Sequence, residues 1–182
     1  MSGAPAGRRP RVVLVGPPGS GKTTVGRALA ELWGLAVRDT DADVEATAGK
    51  PVSDIFVDDG ETAFRALERT AVARALVEHD GVLALGGGAV LDEATREALA
   101  AYRAAGGTVV FLDVSLAHAA PRVGFTQSRP LLLGNPRARW RQLMTERRPV
   151  YEAVATLTVL TDDLRPREVA QRIASALEAA GD

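Results

Sequence analysis

Cysteine is absent from the 182 residues. That excludes disulfides, thiol nucleophiles and thiolate zinc sites, and it agrees with a reducing compartment, so a cytoplasmic location is expected. Aromatic residues are scarce at 4% against 46% apolar residues overall, which leaves Val, Leu and Ala to build the core. Net charge is also small: a formal −1 supplies no bulk basic field, and neither nucleic acid nor a membrane is expected as a partner. His79 and His118 are the only histidines and read as surface helix residues rather than a metal pair. No apolar run approaches the ~20 residues needed to cross a bilayer. Arg8 and Arg9 precede an apolar stretch, but Val12–Val15 gives way at once to a glycine loop and is too short for an export signal. Residues 1–10, rich in Gly, Ala and Pro, are expected to form a disordered tail ahead of a single domain over 11–182.

What is present alternates. Val12–Val15 is a purely apolar, β-branched-rich run, as a buried parallel strand should be. Further strands are expected over 36–38, 82–85, 109–112 and 157–160. Between them Phe64, Leu67, Ala71 and Ala75 recur at helical spacing, as do Val169, Ile173 and Leu177. Pro51 and Pro166 suit the first turn of a helix, whereas Pro149 is expected to interrupt one. Such alternation predicts an α/β fold with a parallel sheet covered on both faces. Residues 124–136 carry Pro and Gly breakers without a period and read as a mobile loop.

Gly16-Pro17-Pro18-Gly19-Ser20-Gly21-Lys22-Thr23 fits G-x-x-x-x-G-K-T between a buried strand and a helix, with Thr24 directly after it. In such a loop backbone N–H groups cradle phosphate oxygens, aided by the helix N-terminus. Lys22 is expected to reach the β- and γ-phosphates of ATP, and the Thr23 hydroxyl to ligate Mg²⁺. No N-K-x-D guanine-reading motif is found, which argues against a regulatory GTPase. Asp39-Thr40-Asp41 places two carboxylates where the second strand ends, the edge at which α/β sheets bind ligands. Capping of the next helix by Thr40 or Asp41 would account for one acid only. Asp113, after the run 109–112, competes with Asp39 as the magnesium-associated acid. Gly86-Gly87-Gly88 follows another strand and would let backbone approach a ligand closely.

Seven motifs in order, GPPGSGKT at 16–23, DTD at 39–41, DIF at 54–56, DGE with FR over 59–65, GGGAV at 86–90, SRPLL at 128–132 and RRPVY at 147–151, resemble those of the shikimate kinase family. The resemblance runs from about Arg11 to Pro166. It implies a three-layer α/β/α P-loop fold with a five-stranded parallel sheet, an acceptor-binding segment over about 40–75 and a lid over about 124–136. It also implies Mg-dependent transfer of the ATP γ-phosphoryl group to the 3-hydroxyl of shikimate, and a monomer is expected. By this resemblance Asp41 binds acceptor hydroxyls and Asp39 holds a magnesium-bound water. Arg65 and Arg147 pair with the acceptor carboxylate, Gly86, Gly87 and Gly88 present backbone to it, and Phe56 and Phe64 wall its ring. Arg129 joins Lys22 and Asp41 as a catalytic group, and Arg122 and Pro166 flank adenine. Leu164 stands where the family often has a basic residue, which bears on the adenine contacts and not on the reaction. Two rival readings are a gluconate-type kinase, disfavoured by the paired DTD and FR motifs, and an ATP-sensing module without turnover, disfavoured by Lys22, Thr23, two acids and Arg129 together.

Overall fold

The structure, a computed structural model, describes residues 7–123 and 134–181. Strands β1 (Val12–Val15), β2 (Val37–Asp39), β3 (Val82–Ala84), β4 (Val109–Asp113) and β5 (Leu157–Leu160) form one sheet in the order β2-β3-β1-β4-β5. Every pairing is parallel, with Val13 opposite both Leu83 and Val109. Helices α1 (Lys22–Trp33), α2 (Thr40–Ala48), α3 (Val52–Asp58), α4 (Glu61–Glu78), α5 (Glu93–Ala104), α6 (Leu116–Val123), α7 (Pro136–Val154) and α8 (Pro166–Gly181) fill the connections, with a 3-10 turn at Ala89–Leu91.

The period-2 geometry of a strand sorts the core into two layers. Val13, Val15, Leu83 and Phe111 face α4, α5, α6 and α7, where Val72, Leu99, Ala119 and Tyr151 meet them. Val12, Leu14, Val82, Val110 and Leu112 face α1 and α8, meeting Leu29 and Ile173. A smaller cluster of Val44, Ile55, Phe64 and Ala71 holds α2, α3 and α4 together at one side of the sheet, within the expected acceptor-binding segment. All five anticipated strands are present, shifted at their ends by no more than one residue.

Four local expectations change. Asp39 is the last residue of β2 and also the N-cap of α2, its side chain accepting from the Asp41 N–H, so neither Thr40 nor Asp41 is the cap. Pro149 does not break α7, which runs on to Val154. The buried stripe Trp140, Met144, Arg147, Tyr151 and Val154 lies on both sides of the proline, so tertiary packing outweighs the one missing backbone hydrogen bond. Of the expected tail, residues 1–6 lie outside the described residues, but Pro10 is buried and its carbonyl accepts a 2.8 Å hydrogen bond from the Tyr102 hydroxyl. The packed chain therefore includes Pro10. His79 ends α4 as its C-cap, with Nε2 3.0 Å from the Val82 carbonyl, and is not a helix-surface residue.

Tyr102 is 6% exposed, and burial pushes its hydroxyl up to about 12, against the opposing hydrogen bond to Thr108 and the charge of Arg9. An unfolded chain ionises tyrosine near pH ~10. The folded state thus holds the proton through a window in which the unfolded state has lost it. Stability from neutral Tyr102 is fully present below about pH 10 and is lost as pH rises through about 12. Tyr102→Phe should cost about 1 kcal/mol near neutrality through the lost hydrogen bond. Urea midpoints of the two proteins should then converge between pH 8 and 11; a constant gap would show that the phenol does not drive the alkaline loss.

Candidate active site

The carboxyl ends of β1, β2, β3 and β4 all open onto one edge of the sheet, and the motifs sit there because each directly follows its strand. The phosphate loop leaves β1 and enters α1 at Lys22, with Gly21 as N-cap. Gly19 is in the left-handed region at φ +83°, and a Cβ there would lie 2.8 Å from Val123 Cγ2 and 2.9 Å from the Ala119 carbonyl. The loop can press against α6 only as glycine. Lys22 Nζ donates to the Gly16 and Pro17 carbonyls at 2.7 and 3.0 Å, and Thr24 Oγ1 to the Gly21 carbonyl at 3.1 Å. Ser20 is fully buried within the loop.

Thr23 Oγ1 lies 3.2 Å from Asp39 Oδ2. Asp39 Oδ1 holds the α2 cap, so the free side of its carboxylate is turned to the phosphate loop. A hydroxyl and a carboxylate oxygen side by side suit a hard divalent cation. Among the described residues no group of three His, Cys, Asp or Glu side chains could hold a metal, so such an ion would draw on nucleotide and water for the rest of its shell. Asp113, the competing acid, is engaged otherwise: Oδ2 accepts from Arg148 at 2.8 Å and Oδ1 from the Val114 N–H at 2.8 Å. That bond holds the Arg148 guanidinium above its usual range.

A cleft of about 430 Å³ joins Lys22, Thr23, Asp39, Asp41, Gly87 and Arg122. Beyond it the turn Gly86–Gly88 is ringed by charge. A Cβ at Gly86 would lie 2.7 Å from Asp41 Oδ1 and 2.6 Å from Glu68 Oε2; one at Gly88 would lie 2.5 Å from Arg65 Nη1. A Cβ at Gly87 would lie 3.5 Å from Arg147 Nη1. Arg65 on α4 and Arg147 on α7 thus reach the same three residues, although 82 positions separate them in sequence. Arg147 is 3% exposed, which excludes the alternative of a solvated helix face. Phe56 and Phe64 are paired with ring centroids 4.7 Å apart, and the Arg65 guanidinium lies 5.2 Å from the Phe64 ring centre. A second, smaller cavity of about 80 Å³ is lined by Thr24, Arg122, Thr161, Leu164 and Pro166 among others, so Leu164 takes part in it as an apolar wall. Arg129, like residues 124–133 as a whole, lies outside the described residues.

Four residues to which the sequence assigned no role at the site help build this edge. Glu68 pairs with Arg65 at 2.7 Å and is 2% exposed, so it is an interior partner rather than half of a surface ion pair. Burial pushes its carboxyl up, with Arg65 and Arg147 pulling the other way. The Thr40 hydroxyl accepts from the Gly86 N–H at 3.1 Å, and the buried Tyr151 hydroxyl donates to the Gly87 carbonyl, so the glycine turn is held from both sides. Trp140 reaches the phosphate loop. Thr40 and Tyr151 stand inside quoted motifs, which is the only signal that singled them out.

A family model described as shikimate kinase matches residues 18–178. The shikimate kinase of Thermobifida fusca (strain YX) is 60% identical over 174 residues, covering 96% of this chain and 98% of the relative. That of Salinispora arenicola (strain CNS-205) is 61% identical over 170 residues, covering 93% and 99%. Among solved structures, shikimate kinase from Acinetobacter baumannii in complex with shikimate superposes with a TM-score of 0.89 at 36% identity, covering 95% of this chain and 94% of that one.

The two acids differ in what their loss should do. Asparagine caps helices as well as aspartate, so Asp39→Asn should fold normally and raise the Mg²⁺ concentration for half-maximal rate roughly 10- to 100-fold. Asp113→Asn should leave the metal requirement alone and lower the melting temperature by freeing Arg148. Metal titration of both variants decides; the reverse pattern would make Asp113 the metal-associated acid.

Proposed function

The chain belongs to the shikimate kinase family, and from that membership we infer that it transfers the γ-phosphoryl group of ATP to the 3-hydroxyl of shikimate. One observation carries the assignment of roles: two arginines and a glycine turn converge beside an acid, Asp41, that also lines the phosphate-loop cleft. A compound bearing both a carboxylate and hydroxyls fits such a site end to end. Arg65 and Arg147 bind the carboxylate, since a guanidinium fork donates two parallel hydrogen bonds to it. Backbone of Gly86–Gly88 lies against the same group. Phe56, half-buried and backed by the core residue Phe64 at 38° between ring planes, offers an apolar wall for a ring, which favours a cyclic acid over open-chain gluconate.

The chemistry asks more for charge neutralisation and alignment than for a strong base, because the phosphoryl group passes through a loose transition state. Lys22 exchanges its loop carbonyls for the β- and γ-phosphates. Asp41 orients the acceptor hydroxyl and takes its proton late. Thr23 and Asp39 are the residues that hold Mg²⁺, which offsets phosphate charge when bound with ATP. Residues Gly16–Thr24 embrace the phosphates, and Arg122 and Pro166 flank adenine beside Leu164. Arg129 is assigned, from the family pattern, to the transferring phosphate. Residues 11–182 act as one kinase domain, working as a monomer. No helix among the described residues is long and apolar enough to cross a membrane.

ADP release measured with shikimate, with gluconate and with no acceptor tests the reaction: only shikimate should support it, and equal release in all three would defeat the reading. Removing one partner of a buried charged contact costs about 2–5 kcal/mol. Arg65→Ala or Arg147→Ala should therefore raise the KM for shikimate roughly 30-fold or more with little change in that for ATP. Lysine should rescue poorly at either position. An unchanged shikimate KM would show that the carboxylate is read elsewhere.

A further inference from the structure

The phosphate loop has four carbonyls at its turn, and each one accepts from a side chain. Lys22 Nζ takes those of Gly16 and Pro17. Arg122 Nη1 takes that of Gly19 at 3.4 Å. The indole N–H of Trp140 takes that of Pro18 at 2.9 Å. A carbonyl turned inward would repel phosphate oxygens, whereas one drawn outward leaves the neighbouring N–H groups facing in. Only a donor that stays on its carbonyl once the nucleotide arrives can hold the loop in the orientation that an anion requires.

The three donors are not equivalent. Lys22 and Arg122 are long, charged and partly exposed, and under the reaction proposed above both have work on the nucleotide. Trp140 has a single donor, and that N–H is already given to the Pro18 carbonyl, so none is left for a phosphate. It is 5% exposed and packed into the core with Val123, Met144 and Tyr151. Its helix, α7, carries Arg147 and Tyr151 on the same buried face, so a ring fixed to that helix is fixed relative to the acceptor turn as well. We propose that Trp140 is a positioning residue for the ATP phosphates: it holds the Pro18 carbonyl out of the phosphate cradle throughout turnover, while Lys22 and Arg122 exchange loop for nucleotide.

The proposal rests on the kinase reading, and its test separates the two. In Trp140→Phe the ring remains largely in place and only the donor is lost. KM for ATP should rise roughly three- to tenfold, the worth of one hydrogen bond, while KM for shikimate stays within twofold. A residue that served packing alone would lower the melting temperature and leave both KM values alone, and that result would overturn the proposal. Failure of the wild-type protein to phosphorylate shikimate would instead overturn the kinase reading. Should Trp140→Phe fail to fold, Trp33→Phe leaves Trp140 as the only fluorophore of its kind, because Trp33 lies apart from the site, under Arg11. The one remaining indole N–H should exchange with solvent slowly both in the free protein and at full Mg·ADP occupancy, with occupancy followed independently by calorimetry. Loss of that protection when Mg·ADP binds would show that the indole lets go of Pro18 and would sink the assignment.

Discussion

The two-sided parallel pairing of β1 is the constraint on which the rest depends. Val12–Val15 is buried on both faces and bonded on one side to β3 and on the other to β4. Because the pairings are parallel, the chain leaves all three strands at the same edge. The phosphate loop, the glycine turn and Asp113 follow those strands directly, so they meet without any long-range side-chain recognition. Placing β2 beside β3 brings Asp39 and Asp41 to that edge too. A strand order with β2 next to β1 would have separated Asp41 from the glycine turn beside which it now lies.

Around that turn, electrostatics and sterics act together. Arg65, Glu68 and Asp41 crowd positions where a methyl group would collide with them, and Arg147 lies at contact distance from the third. Two guanidinium groups held close with no counter-charge would repel, and Glu68 supplies the counter-charge from the interior. Removing one member of a buried ion pair typically costs 3–5 kcal/mol, because the other is left stranded. The four formal charges balance, so the arrangement is stable without ligand while keeping two guanidinium groups beside the glycine turn. The raised affinity of Glu68 for its proton reflects how dry the place is. Low dielectric strengthens every charge contact made there.

Helix α7 ties the two halves of the site. Along one face it carries Trp140 against the phosphate loop, Arg147 at the glycine turn and Tyr151 bonded to that turn, and Arg148 beside them pairs with Asp113 at the end of β4. A single rigid element thereby fixes the phosphate loop and the glycine turn relative to each other, and alignment of two reactants is what phosphoryl transfer most needs. Its continuity through Pro149 serves the same end.

The sequence by itself determined the α/β class, all five strands, the phosphate loop and the family. Those features are written locally, in apolar runs, in glycine spacing and in motifs that follow strands. It also named Arg65, Arg147, Asp41 and the three glycines as partners, through resemblance and not through spacing. What only the tertiary structure decided was which groups share a surface. Asp113 competed with Asp39, from behind, as the metal-associated acid; that Arg148 holds it, a contact between residues 35 positions apart, only the packing shows. Glu68 read as a surface residue because its neighbours on α4 suggest an ordinary helical ion pair; only the packing of α4 against the glycine turn buries it. Trp140 carried no local signal and Tyr151 only its place in a motif, since an indole or a phenol at helical spacing looks like core. Their polar ends acquire meaning from the backbone carbonyls opposite, and those are set by chain segments 122 and 64 residues away. Local chemistry is legible in a sequence because it depends on neighbours; a hydrogen-bond partner across the fold depends on the whole packing, which no short stretch of sequence contains.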